Sequence, residues 1–89
     1  MLSVCFMELE TDYEGNNIDI EKTEDPDVCS QLCASTKGCL FWTWRMANTT
    51  CALKNSDSGR RDDLDATSGS KECGISMKLI LKLTHFTIE

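Results

Sequence analysis

Cys29-Ser-Gln-Leu-Cys33, then Ala34-Ser-Thr-Lys-Gly-Cys39, then Leu40-Phe-Trp-Thr-Trp44 and finally Cys51: this stretch decides how the chain is read. It holds four of the six cysteines and both tryptophans. Just before it, Asp25 suits an N-cap, Pro26 the first helical position and Asp27 the positive end of the helix dipole. Val28, Cys29, Leu32, Cys33 and Thr36 then fall on one face at helical spacing. Lys37 and Gly38 supply a favourable charge and a left-handed stop, so the spacing predicts a helix from Pro26 to Thr36. Cys39 to Arg45 alternates as a strand, with Leu40, Trp42 and Trp44 on one face and Phe41, Thr43 and Arg45 on the other. Apolar residues on both faces at its start predict a central strand. Met46 to Thr50 reads as a turn and Thr50 to Lys54 as the returning strand.

Outward from this centre the signals weaken. Residues 4–9 read as a short strand carrying Cys5, and Thr11 to Asn17 as a loop in which Gly15, Asn16 and Asn17 tolerate positive φ. Ile18 to Ile20 resumes alternation. Asn55 to Ser70 is polar and rich in Gly, Ser and Asp, which predicts a long loop, with Ser68 to Cys73 closing the sheet. In the tail, residues 74–89, Met77, Leu79, Leu81 and Leu83 alternate with Lys78, Ile80, Lys82 and Thr84 in a strand-like pattern. There are no internal repeats.

At 89 residues the chain is one domain with a modest core. Six cysteines in so short a chain point to a disulfide framework in an oxidising compartment, although spacing alone does not choose the pairing. Zinc is the weaker reading, because there is no Cys-x-x-Cys pair and the lone histidine, His85, stands away from the cysteines. A net charge of −6 argues against nucleic acid and against anionic membrane surfaces. No stretch is long enough to span a bilayer as a helix, so membrane insertion is not expected. Met1 to Met7 lacks the basic flank of a secretion leader, which predicts a module taken from a longer exported chain or an incomplete start.

Taken in order, these features resemble the PAN/apple domain family from Cys5 to Cys73. The resemblance is carried by Asp12-Tyr-Glu-Gly-Asn-Asn-Ile18, by the capped helix with Cys29 and Cys33, and by Cys39-Leu-Phe-Trp-Thr-Trp44. Cys51-Ala-Leu-Lys54 and Ser68-Gly69 ahead of Cys73 complete it. The resemblance implies an α+β, disulfide-rich domain in which a curved antiparallel sheet of about five strands cradles one α-helix. It also implies the pairings Cys5–Cys73, Cys29–Cys51 and Cys33–Cys39. The domain would occupy residues 1–73, and residues 74–89 stand outside the resemblance.

The functional readings compete with plainer ones. Trp42 and Trp44 can form a platform for a sugar or side chain, but at a period of two in a central strand they read better as core, packed with Leu32 and Val28. Asp12, Glu14 and Asn16, with Tyr13 among them, can meet a sugar hydroxyl or an ion, or can simply shape a turn. A calcium loop would need more oxygen ligands at regular spacing. Arg60 and Arg61, beside Asp62, Asp63 and Asp65, are a possible contact surface or a solvated loop, and Arg45 on the aromatic strand joins the candidates. Asn48-Thr-Thr50 is an N-glycosylation sequon. No nucleophile–base–orienter set can be assembled, so an enzyme is not expected, nor a cofactor or metal. The expectation is a secreted or cell-surface module that binds a protein or glycan and has neighbouring domains in a longer chain; the alternative is a disulfide-bonded spacer with no ligand of its own.

Overall fold

The computed structural model describes residues 7–71. Its helix forms where the capping residues place it. The Asp25 side chain accepts a hydrogen bond from the Val28 N–H at 2.9 Å, Pro26 opens the first turn, and α1 runs over Pro26–Ser35. Thr36 caps the other end, and Gly38 takes the left-handed φ of +87° that turns the chain out of the helix.

Five strands surround this helix in the sequence: β1 (Glu8–Tyr13), β2 (Asn17–Lys22), β3 (Phe41–Arg45), β4 (Thr50–Lys54) and β5 (Arg60–Ser70). They form one antiparallel sheet in the order β1-β5-β3-β4-β2, with β3 at its centre and α1 packed against β3, β4 and β5. The fold is therefore the α+β, disulfide-rich arrangement expected from the sequence.

Side-chain alternation along β3 divides the two faces of the sheet. Trp42 and Trp44 are buried toward the helix with Cys29, Cys33, Cys39, Cys51 and Leu53, and Leu32 and Met7 pack at the margin. Each indole N–H is spent on a backbone carbonyl, Trp42 on Ser70 at 2.9 Å and Trp44 on Thr23 at 3.1 Å. Val28 and Leu40, expected to join this face, are exposed instead: Val28 lies in the first turn, at the rim of the helix contact, and Leu40 precedes β3. Two disulfides staple the layers. Cys29–Cys51 ties α1 to β4, and Cys33–Cys39 spans the helix-to-strand turn, with Cα separations of 5.4 and 5.3 Å. The pairing implied for Cys5 and Cys73 and the strand pattern in the tail lie outside the described residues.

Two sequence readings are corrected. The stretch expected as a long loop contains β5, an 11-residue strand flanked by β1 and β3. Its polarity hid it. Ladder partners on both sides hold it without large apolar side chains, and its small residues are required by their neighbours. Gly69 lies under Trp42, where an added Cβ would stand 2.9 Å from the indole. The first strand is also displaced along the chain. It continues through Asp12 and Tyr13, and only Glu14 to Asn16 form the turn, with Gly15 and Asn16 at φ +83° and +60°.

Candidate functional site

The face of the sheet away from the helix is polar. Strand register places Phe41, Thr43 and Arg45 of β3 beside Lys54, Ala52 and Thr50 of β4, and beside Ser70, Ser68 and Ala66 of β5. The β1–β5 ribbon then covers part of this face. Its register shifts between Leu9 and Thr11, where Glu10 takes φ +55°. Before that shift, Glu8 pairs with Ser68, which itself stands opposite Thr43. Beyond it, the Tyr13 N–H reaches the Thr43 hydroxyl at 3.3 Å and Asp12 reaches Arg45. A ribbon running straight from Glu8 could not make both contacts, so it bends at Glu10 and brings Asp12 and Tyr13 back over β3.

A hydroxyl relay seals the bend. The Ser68 hydroxyl donates to the Thr11 carbonyl at 2.7 Å, so the 2.6 Å contact between Thr43 and Ser68 is a bond that Thr43 donates. Thr43 in turn accepts the Tyr13 N–H. At the ribbon's end the Glu14 N–H donates to the Gly59 carbonyl at 2.8 Å, and an added Cβ on Gly59 would fall 2.0 Å from the Glu14 carbonyl oxygen.

Between the bent ribbon and the β3–β4 hairpin lies a solvent-open cleft of about 250 Å³. Asp12, Glu14, Arg45, Lys54 and Arg61 supply its charges, Asn17, Thr43 and Thr50 its neutral polar groups, and Ile20 and Ala52 a small apolar wall. Asp12 is 3% exposed, and its Oδ2 receives Arg45 at 2.8 Å and Arg61 at 3.1 Å. Arg45 also reaches Asp63 at 2.7 Å. That hydrogen bond raises the Arg45 pKa and is the first cause of the lowered Asp63 pKa, which the Asp65 N–H reinforces. Lys54 is likewise 3% exposed, with its ammonium donating to the Gly15 carbonyl at 2.9 Å and to Asn17 Oδ1 at 2.5 Å. Burial lowers its pKa.

The family model for the PAN domain matches residues 5–76. The chain belongs to the PAN domain family. No curated protein matches it.

Of the candidate residues read from the sequence, the cleft of this PAN domain gathers Asp12, Glu14, Arg45 and Arg61. Tyr13, Asn16 and Arg60 lie elsewhere. Tyr13 is buried edge-on to Phe41, its hydroxyl donates to Glu8, and the Arg60 guanidinium sits 5.5 Å from its ring centroid. Burial first and then the Glu8 hydrogen bond push the Tyr13 pKa up. The Asn16 amide donates to Ser58 across the mouth of the β4–β5 loop. Asn48 is exposed in the β3–β4 turn. Lys54 and Asn17 were missed as site residues. Parity along the PAN domain's central hairpin could have found Lys54, since it is in register with Phe41 and shares a face with Thr43 and Arg45. Among the described residues, no group of three or more His, Cys, Asp or Glu is placed to hold a metal ion, and no helix is long and apolar enough to cross a membrane.

Proposed function

We propose that this PAN domain is an extracellular recognition module of a larger secreted or cell-surface protein, and that it binds a protein or carbohydrate ligand in the cleft between the bent ribbon and the β3–β4 hairpin. One observation carries the reading. The cleft is open to solvent, yet its floor holds two ionic side chains, Asp12 and Lys54, that are almost wholly buried. Burying charge is costly in free energy and adds little to stability compared with apolar packing, so its presence in an open concavity favours recognition. The two disulfides support an oxidising, exported setting. Residues 1–73 are the binding unit in this reading, and residues 74–89 stand outside it.

Asn48 carries a glycan in this setting. Its sequon sits in an exposed turn between β3 and β4, where a bulky modification meets no packed surface. Secretion from eukaryotic cells should yield a glycosidase-sensitive mass that Asn48→Gln removes; an unchanged mass in the parent chain refutes the assignment.

The binding reading is tested by applying the oxidised chain to a glycan array and to a pull-down from extracellular matrix and plasma. Binding that Arg61→Gln weakens without loss of folding supports the cleft. Signal no higher than that of the reduced, unfolded chain on both platforms counts for a spacer role instead.

A further inference from the structure

Lys54 differs from the other cations around the cleft. Arg45 and Arg61 each lie within ion-pair distance of at least two carboxylates. Lys54 lies within that distance of none among the described residues, although it is far more buried. Its two acceptors, the Gly15 carbonyl and the Asn17 amide oxygen, are neutral, and an ammonium has three N–H donors. The nearby carboxylates are already engaged: Asp12 by Arg45 and Arg61, and Glu14 by Arg61. A buried charge is ordinarily paired, and this one faces a space that a ligand can enter.

The rest of the lining narrows the ligand further. Both tryptophans are on the opposite face of the sheet, so the cleft has no aromatic platform and must recognise its ligand by hydrogen bonds and charge. Ile20 and Ala52 give a narrow apolar wall suited to the C–H face of a sugar ring, and Asn17, Thr50 and Glu14 can meet hydroxyls.

Resting on the cleft reading above, we infer that the ligand is a carboxylated sugar, such as a hexuronic acid, whose carboxylate is the missing partner of Lys54. The Arg61 guanidinium, half exposed at the rim, supplies a second donor to the same group. The ligand carboxylate restores to the ammonium what desolvation takes from it. Affinity therefore falls as pH rises through the lowered Lys54 pKa, with Asp12, Glu14, Arg45 and Arg61 as the other charges facing that group.

Glucuronic acid and glucose differ only at one carbon, a carboxylate against a hydroxymethyl, and make a matched pair. Titrated into the isotope-labelled full chain and followed by amide NMR shifts at residues 12–17 and 43–54, glucuronate should bind about tenfold or more tightly than glucose, about 1.4 kcal/mol. Lys54→Gln should cut the ratio several-fold, the Arg61 donor remaining, with dispersed spectra confirming that the variant folds. Should that variant unfold, Arg61→Gln at the exposed rim is expected to lower glucuronate affinity several-fold. Equal affinities in the parent chain, no shift with glucuronate, or a preference undiminished by these substitutions overturns the inference. So does a blocked aspartate amide shifting the same residues more strongly than glucuronate, which would mark an acidic peptide ligand. Any of these outcomes leaves the cleft reading standing if other ligands bind; only failure on both the array and the pull-down removes that reading.

Discussion

Asp12 is the contact through which the bent ribbon holds the hairpin, and replacing it by Asn isolates the worth of its charge. The change keeps size and shape. All of the arginine contacts fall on one oxygen, Oδ2, which receives Arg45 at 2.8 Å and Arg61 through both Nε and a terminal nitrogen at 3.1 Å. The Asn amide oxygen can still accept these bonds, but as neutral ones. A hydrogen bond to a charged group is worth about 1–1.5 kcal/mol more than a neutral one, so two arginines give about 2–3 kcal/mol. Arg45 is about a third exposed and Arg61 about half exposed, and solvent screening reduces the sum to about 1–2 kcal/mol. In a domain of this size that lowers Tm by about 5–15 °C. Urea unfolding of the oxidised chain, followed by tryptophan fluorescence, measures the difference directly. In a double-mutant cycle, Asp12→Asn with Arg45→Met should cost about 1 kcal/mol less than the sum of the single changes. A single variant within about 0.5 kcal/mol of the parent, with additive effects in the cycle, would show that the ribbon is held down by the hydroxyl relay and not by charge.

Other outcomes follow from the same geometry. Gly69→Ala puts a methyl 2.9 Å from an indole that is fixed by the helix and by its bond to Ser70, so overpacking should destabilise by about 1–3 kcal/mol; equal or greater stability in urea would mean that Trp42 can move aside. The two staples should differ in worth. Cys29–Cys51 closes 22 residues and Cys33–Cys39 closes six, so chain entropy assigns about 3.4 and about 2.2 kcal/mol, and removing the longer one as a double Ala variant should shift the urea midpoint further. The reverse order would place the stabilisation in the folded state. Asp63 titrates below its ordinary 3.8 because Arg45 holds its charged form. Its contribution is complete above that value and disappears as pH falls through the lowered one, so stability measured from pH 5 to pH 2 should fall less steeply in Asp63→Asn than in the parent.

The helix was legible in the sequence because its signals are local: Asp25 and Pro26 start it, Gly38 ends it, and no distant residue has a say. The central strand was legible because two tryptophans at a period of two leave little choice of face. What escaped depends on partners remote in sequence. β5 looks like a loop because Ser68 and Gly69 are small and polar, and only the presence of Thr43 and Trp42 opposite them turns those properties into a fit. Asp12 and Tyr13 looked like loop residues because Gly15 and Asn16 follow closely, and the strand runs right up to that turn. Four of the cleft's five charged residues were among the candidates for reasons of composition, whereas Lys54 stood in plain sight within a motif and was not among them. Its role depends on register, and register is a property of two strands.

The bend at Glu10 has a consequence for how such a domain can change its ligand. One jaw of the cleft is the β3–β4 hairpin, whose opposite face carries Cys51 and the tryptophans and is fastened to the helix. The other jaw is the folded-back end of the ribbon, and its angle is set by Glu10 and by residues 63–66, which interrupt the β1–β5 register. Glu10 and residues 64 and 66 line no part of the opening. Gape and chemistry are thus set at separate addresses. Substitutions at residues 10, 64 and 66 can widen or narrow the opening while the Asp63–Arg45 and Asp12–Arg45 contacts stay in place, and substitutions at Lys54 and Arg61 can alter preference while Asp12 and Arg45 still hold the ribbon. For an engineer grafting a new specificity, residues 10, 64 and 66 are the adjusting screw and residues 54 and 61 the interchangeable bit, with Asp12, Arg45 and Asp63 left as the clamp between them.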